Sequence, residues 1–143
     1  DGKVEDRLEV VEREQLHVTN AYRAMFRHRP LAVNLKLHTS ARGHAEEMSK
    51  LGYFAHFSPT PGRRTPFDRM KLAGYESGVS ENIALNDSAP AAHDAWCHSS
   101  GHHRNLLNAQ HTEFGIGALG RYWVQNFGQG REYEADPAFK RPR

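Results

Sequence analysis

The run Phe114-Gly-Ile-Gly-Ala-Leu-Gly-Arg-Tyr-Trp-Val-Gln-Asn-Phe127 decides how this chain folds. Phe114–Leu119 and Tyr122–Phe127 read as strands, rich in aromatic and branched residues. Gly120-Arg121 between them is a two-residue loop with glycine first. A type II′ turn needs that glycine, because its first central residue takes a positive φ. The run is therefore an antiparallel hairpin. Gly115 and Gly117 in its first strand predict that another stretch of backbone comes close there, while Trp123, Val124 and Phe127 are expected in the core.

Upstream, Val79–Leu85 is a third strand candidate, and the remaining patterned segments are helical. Glu5 to Arg29 reads as a long amphipathic helix stopped by Pro30, with Leu8, Val11, Gln15, Val18, Tyr22 and Met25 on one stripe. A second helix is predicted from about Leu35 to Leu51. Leu37, Ala41, His44 or Ala45, and Met48 share its face, and Gly52 closes it. Thr65-Pro66 opens a short third helix to Ala73, with threonine as N-cap and proline at the first helical position. Ser88-Ala89-Pro90 starts a fourth, through about His98, and a brief helical turn after Gly101 carries Leu106 and Leu107. Helices first and a hairpin last give an α+β sandwich.

The 143 residues make one domain, read as 1–143 with a core of about 8–130 and a basic tail over 131–143. Nineteen basic against 17 acidic side chains leave a formal charge of +2, which argues for neither nucleic acid nor an anionic membrane as partner. No stretch approaches the ~20 apolar residues of a membrane span, and no signal peptide is visible. Cys97 is the single cysteine, so no internal disulfide forms; its apolar setting reads as a buried small hydrophobe.

Three segments carry the candidate chemistry: Tyr53–Pro59, Ser80–Ala84 and Trp96–Asn108. Pro59 holds Ser58 extended, so the loop after the second helix aims His56 at a defined point; the alternative is a loop histidine satisfied by backbone. Glu81, in a strand between Ser80 and Asn82, needs a partner if that strand is half buried. It is either a structural carboxylate or one that binds metal or moves a proton. Asn82 on the opposite face is free to hydrogen-bond a neighbouring loop. His102 and His103 stand near a helix start, where the dipole favours a neutral imidazole, and only one of the two faces inward. His98 and His102 are spaced i, i+4, but Gly101 is expected to break the helix between them. His44-Ala45-Glu46-Glu47-Met48 lacks the second histidine of a zincin helix. Arg104 and Asn105 are expected to hold a loop, and Ser58, the serine nearest His56, reads as a loop former.

These residues resemble a family. Asn20-x-x-Arg23, Leu31 and Leu35-Lys36-Leu37, the Ala41…Ala45…Met48 face, F-A-H-F-S-P, F-D-R-M…A-G-Y (Phe67 to Tyr75), S-E-N-I-A, A-W…S-x-G-H, F-G-I-G and Y-W-V-Q-N-F-G occur in order. Together they are similar to the CAP superfamily, or SCP domain, of cysteine-rich secretory, antigen 5 and pathogenesis-related 1 proteins, in its short bacterial form. The resemblance implies an α-β-α sandwich with a central antiparallel three-stranded sheet. It also implies a cleft with two histidines and two glutamates that binds zinc or another divalent cation in some members. By motif position His56 and His102 match the histidines and Glu81 the glutamate of the G-E-N motif, leaving His103 as the neighbour that does not ligate.

The chain departs from the pattern in three ways. Ser99 stands at the second glutamate's position, for which Glu113 is a candidate replacement in space; Ser80 replaces a glycine; and the cross-linking cysteines are missing. The resemblance implies a secreted, periplasmic or cell-surface protein. Two functions follow as expectations. One is a binding module whose cleft takes a divalent cation, zinc first, and a lipid, peptide or protein ligand. The other is a metal-dependent peptide or ester hydrolase using metal-bound water with Glu81 as general base.

Overall fold

A computed structural model describes residues 7–132. The expected tail lies, from residue 133 onward, outside the described residues, as do Glu5 and Asp6 of the expected first helix. The elements are α1 (Val10–Met25), β1 (Ala32–Val33), α2 (Leu35–Leu51), α3 (Pro66–Leu72), β2 (Gly78–Leu85), α4 (Ala89–Cys97), α5 (Ser100–Leu107), β3 (Glu113–Leu119) and β4 (Tyr122–Gly128). The sheet runs β1-β3-β4-β2. β2, β4 and β3 form the expected antiparallel trio, and β1, a two-residue strand with no periodicity to read, adds to β3 in parallel.

The hairpin decides the layering because its side chains alternate. Phe114, Ile116, Trp123 and Phe127 face α1, α4 and α5 in the larger core, joined by Leu16, Ala92, Trp96 and Leu106. Val124 faces the other way, onto Ala41, Ala45 and Met48 of α2. Gly115 and Gly117 also lie on the α2 side. A Cβ at Gly115 would sit 2.1 Å from the Leu37 and His38 backbone, and one at Gly117 2.2 Å from that of Arg42. The glycines thus let a helix rest directly on strand backbone. Gly120 has φ 60 and Arg121 is not left-handed, as the type II′ reading requires.

The helix signals mostly act where the sequence placed them. Gly52 closes α2 at φ 72 as expected, and Asn34, which the sequence reading did not single out, starts it by accepting from the Lys36 and Leu37 N–H groups. Thr65 caps α3 and Ser88 caps α4. α5 is longer than the expected turn and takes in Gly101; the break falls at His98–Ser99 instead.

Helix α1 differs most. It stops at Met25, five residues before Pro30, because Phe26 and a left-handed Arg27 (φ 61) turn the chain. Its buried face is Glu12, Gln15, Leu16, Thr19 and Arg23 rather than the stripe through Val11 and Met25, which are exposed. The buried polar groups are satisfied: Gln15 donates to the Ala89 carbonyl, and Glu12 accepts from Arg42 and from the Ala118 N–H. Hydrogen bonding therefore rotated a face that hydrophobicity alone assigned differently.

Candidate functional site

Among the described residues strand β2 lies at an edge of the sheet, and its neighbouring residues Glu81 and Asn82 point to opposite faces. Glu81 faces the α2–α3 side, and its carboxyl group is about 1% exposed. Nη2 of Arg69, from α3, lies 3.0 Å from each of its oxygens, and Asn126 on the adjacent strand donates to Oε2 at 2.8 Å. His56 completes the shell from the α2–α3 loop, with Nδ1 donating to Oε1 at 2.9 Å. Arg69 also donates to the His56 carbonyl at 2.8 Å, so one guanidinium fixes both the carboxylate and the loop that carries the imidazole. Burial alone would raise the Glu81 pKa. The His56 bond, the Arg69 charge and the Asn126 bond outweigh it and hold the carboxyl below its usual value.

Asn82 faces the other layer and serves helix α5. It donates to the His102 carbonyl at 3.3 Å and accepts from Asn105, which also donates to the Glu81 carbonyl. Two consecutive strand residues thus hold one histidine each, His56 by its ring and His102 by its backbone. The two imidazoles meet across the sheet edge with centroids 6.4 Å apart. Burial first, and the nearby His56 second, push the His102 pKa down, favouring neutral imidazole. The neighbour His103 is engaged by the Tyr22 hydroxyl at 2.7 Å.

The structure therefore brings His56, Glu81 and His102 together. It places Glu113 elsewhere, opposite Gly128 on β3, where its carboxylate accepts from Tyr75 at 2.8 Å and from Asn34 at 3.2 Å. With β4 between β3 and β2, Glu113 does not stand in for the missing second glutamate. Ser58 is fully buried, donates to Glu47 and accepts from the Thr60 N–H, the bonding of a loop former. Burial works to raise the Glu47 pKa, but bonds from Ser58, Tyr53, Thr60 and Arg63 bring it down to about 2. A carboxylate so stabilised is a poor base for Ser58. Cys97 is only partly buried, and burial raises its pKa, leaving no reactive thiolate.

Arg69, Asn126 and His44 are the parts the sequence reading assigned no role at the site. His44 is fully buried and donates Nε2–H to the Ala55 carbonyl at 2.8 Å, tying α2 to the His56 loop.

As a donor set for a divalent ion the trio divides. Both Glu81 oxygens already accept from Arg69, whose charge would repel a cation, so Glu81 does not fit as a ligand. His56 does: with Nδ1–H given to Glu81, Nε2 is the ring nitrogen left to meet a metal, the usual arrangement behind a metal-bound histidine. At about 2.1 Å per Zn–N bond, two tetrahedral imidazole ligands have centroids roughly 5 Å apart, so the observed 6.4 Å is open by about an ångström. Among the described residues, no three His, Cys, Asp or Glu side chains are grouped to hold a metal. The fit is to two imidazoles backed by a carboxylate.

Comparison with known proteins accords with the fold. Residues 16–127 match the cysteine-rich secretory protein family, CAP. The chain is 38% identical over 120 residues to YkwD, an uncharacterized protein of Bacillus subtilis (strain 168), covering 81% of this chain and 46% of YkwD. Among solved structures it is similar to an extracellular protein of Bacillus anthracis str. Ames that contains an SCP domain. That match has a TM-score of 0.79 and 32% identity, covering 83% of this chain and 40% of that one. An outer surface protein of Borrelia burgdorferi shares the fold at a TM-score of 0.74 and 18% identity, covering 92% of this chain and 96% of that one. The chain spans less than half the length of the two Bacillus proteins.

Proposed function

Since the chain belongs to the CAP, or cysteine-rich secretory protein, family, we propose that its cleft is a binding site outside the cytoplasm. There His56 and His102 take a divalent cation, zinc first, and the rim takes a lipid or peptide ligand. One observation carries the reading: the 2.9 Å bond from His56 Nδ1 to a Glu81 carboxylate that is itself held by Arg69. It orients the imidazole with Nε2 available and half of the side chain open to solvent. A cation held there by two imidazoles keeps open positions, where it would polarise a ligand oxygen. The neighbours Phe54 and Phe57, 46% and 58% exposed, supply apolar contact beside it. Location is supported by the extracellular B. anthracis protein, and among the described residues no helix is long and apolar enough to cross a membrane.

The hydrolase reading is less well supported. A general base works best with a pKa near the working pH, whereas Glu81 is held low and already accepts three donors.

Calorimetric titration of zinc into the metal-stripped protein tests the proposal. Saturable one-to-one binding is expected, lost in His56→Ala/His102→Ala and weakened roughly 10- to 100-fold in Glu81→Gln. Equal binding by wild type and the double variant would overturn it. An ester or peptide panel should show no turnover that His56→Ala removes.

A further inference from the structure

A cavity of about 460 Å³ opens on another part of the surface, where the end of α1 meets the segment leading into β3. Arg27, His28 and Arg29 line one side, Gln110 and His111 the other, and Arg131 also borders it. None of the described residues lining it is acidic.

The wall behind these residues is also cationic. Arg23 is 1% exposed. It donates to the carbonyls of Arg29 at 3.0 Å, Leu106 at 2.9 Å and Asn108 at 3.0 Å. All three acceptors are neutral, and among the described residues Arg23 makes no ion pair with a carboxylate. Burial lowers its pKa to about 10, which leaves it charged at neutral pH. The carboxyl end of α1 contributes only about half a negative charge, against a full positive charge on each of Arg23, Arg27 and Arg29. Arg27, moreover, sits at φ 61, where glycine is the usual residue. An arginine there accepts backbone strain at a residue that lines the cavity.

We propose that this cavity binds an oxyanion of the phosphate type, gripped by Arg27 and Arg29 above the buried Arg23. Guanidinium groups match such an anion by paired, charge-assisted hydrogen bonds. The volume far exceeds the ~30 Å³ share of a water molecule, so the phosphoryl group would be one end of a larger molecule, either a lipid headgroup or a soluble phosphate ester. This site is independent of the His56–His102 cleft.

Calorimetry with inorganic phosphate at fixed ionic strength, on the chain containing residues 1–143, is the test. Arg27→Gly/Arg29→Ala keeps the left-handed backbone while removing both guanidinium groups. A control, Lys50→Ala/Arg104→Ala, removes the same charge from exposed positions elsewhere. Saturable binding that falls by roughly tenfold or more in the first variant and holds in the control is expected, given the strength of charge-assisted bonds. No saturable binding, or an equal loss in both variants, would overturn the proposal. Sedimentation with phosphatidylcholine vesicles, with and without phosphatidic acid, then distinguishes the sources. Co-sedimentation that needs phosphatidic acid and the two arginines points to a lipid headgroup; phosphate binding without it points to a soluble ester.

Discussion

At the residue scale Arg69 governs the cleft. It is 1% exposed and balances a carboxylate that is equally buried. Removing one partner of such a pair leaves a lone charge in a poor solvent, at a cost of about 3–5 kcal/mol, whereas removing both is far milder. Arg69→Met should therefore destabilise the protein by about that amount in urea titration, and Arg69→Met/Glu81→Leu should recover most of the loss. An additive double variant would mean that the two do not compensate each other. His56, Glu81 and His102 were legible because each lies in a short run of distinctive residues. Arg69 was quoted within such a run, yet a charge on a seven-residue helix reads as solvated until the fold turns it inward. Asn126 did leave a signal: Gln125-Asn126 puts two adjacent polar residues in an otherwise apolar strand, so both sheet faces had to carry buried polar groups.

At the scale of elements, the contact between α2 and the hairpin depends on two missing side chains. Gly115→Ala and Gly117→Ala would each drive a methyl into helix backbone, which unlike a flexible side chain has nowhere to move. A loss of about 3 kcal/mol or more is expected for each. Gly101 is the opposite case, inside α5 with open space around its Cα. Gly101→Ala should raise stability by about 0.5–1 kcal/mol, and thermal melts of the three variants check the contrast. The close approach was readable from glycines in a strand, as were the closing glycine of α2 and the N-caps of α3 and α4; Asn34, the N-cap of α2, was not. The face of α1 was not. Its buried side is mostly polar, and its partners, such as the Ala89 carbonyl 74 residues away, exist only after folding.

For the whole molecule the buried titratable groups combine into an acid response. Burial first, and Arg23 second, lower the His111 pKa from 6.5 to about 4. The unfolded chain therefore takes up that proton first, and stability falls as pH drops through this interval. Glu47, depressed from 4.5 to about 2, contributes stability that is complete above 4.5 and disappears on the way down to 2; Glu81 acts in the same direction. Melting temperature should thus decline in two overlapping stages below about pH 6.5, with His111→Asn flattening the first and Glu47→Gln the second. A melting temperature constant down to about pH 4 would contradict the assignment of the first stage.

Among the described residues strand β2 has a neighbour on one side only, yet the Glu81 carbonyl is already taken by the Asn105 amide. Where a strand from another polypeptide could otherwise dock and extend the sheet, a side chain fills the place. The contact that steadies the histidine-bearing helix thus also guards the molecule against strand-by-strand self-assembly.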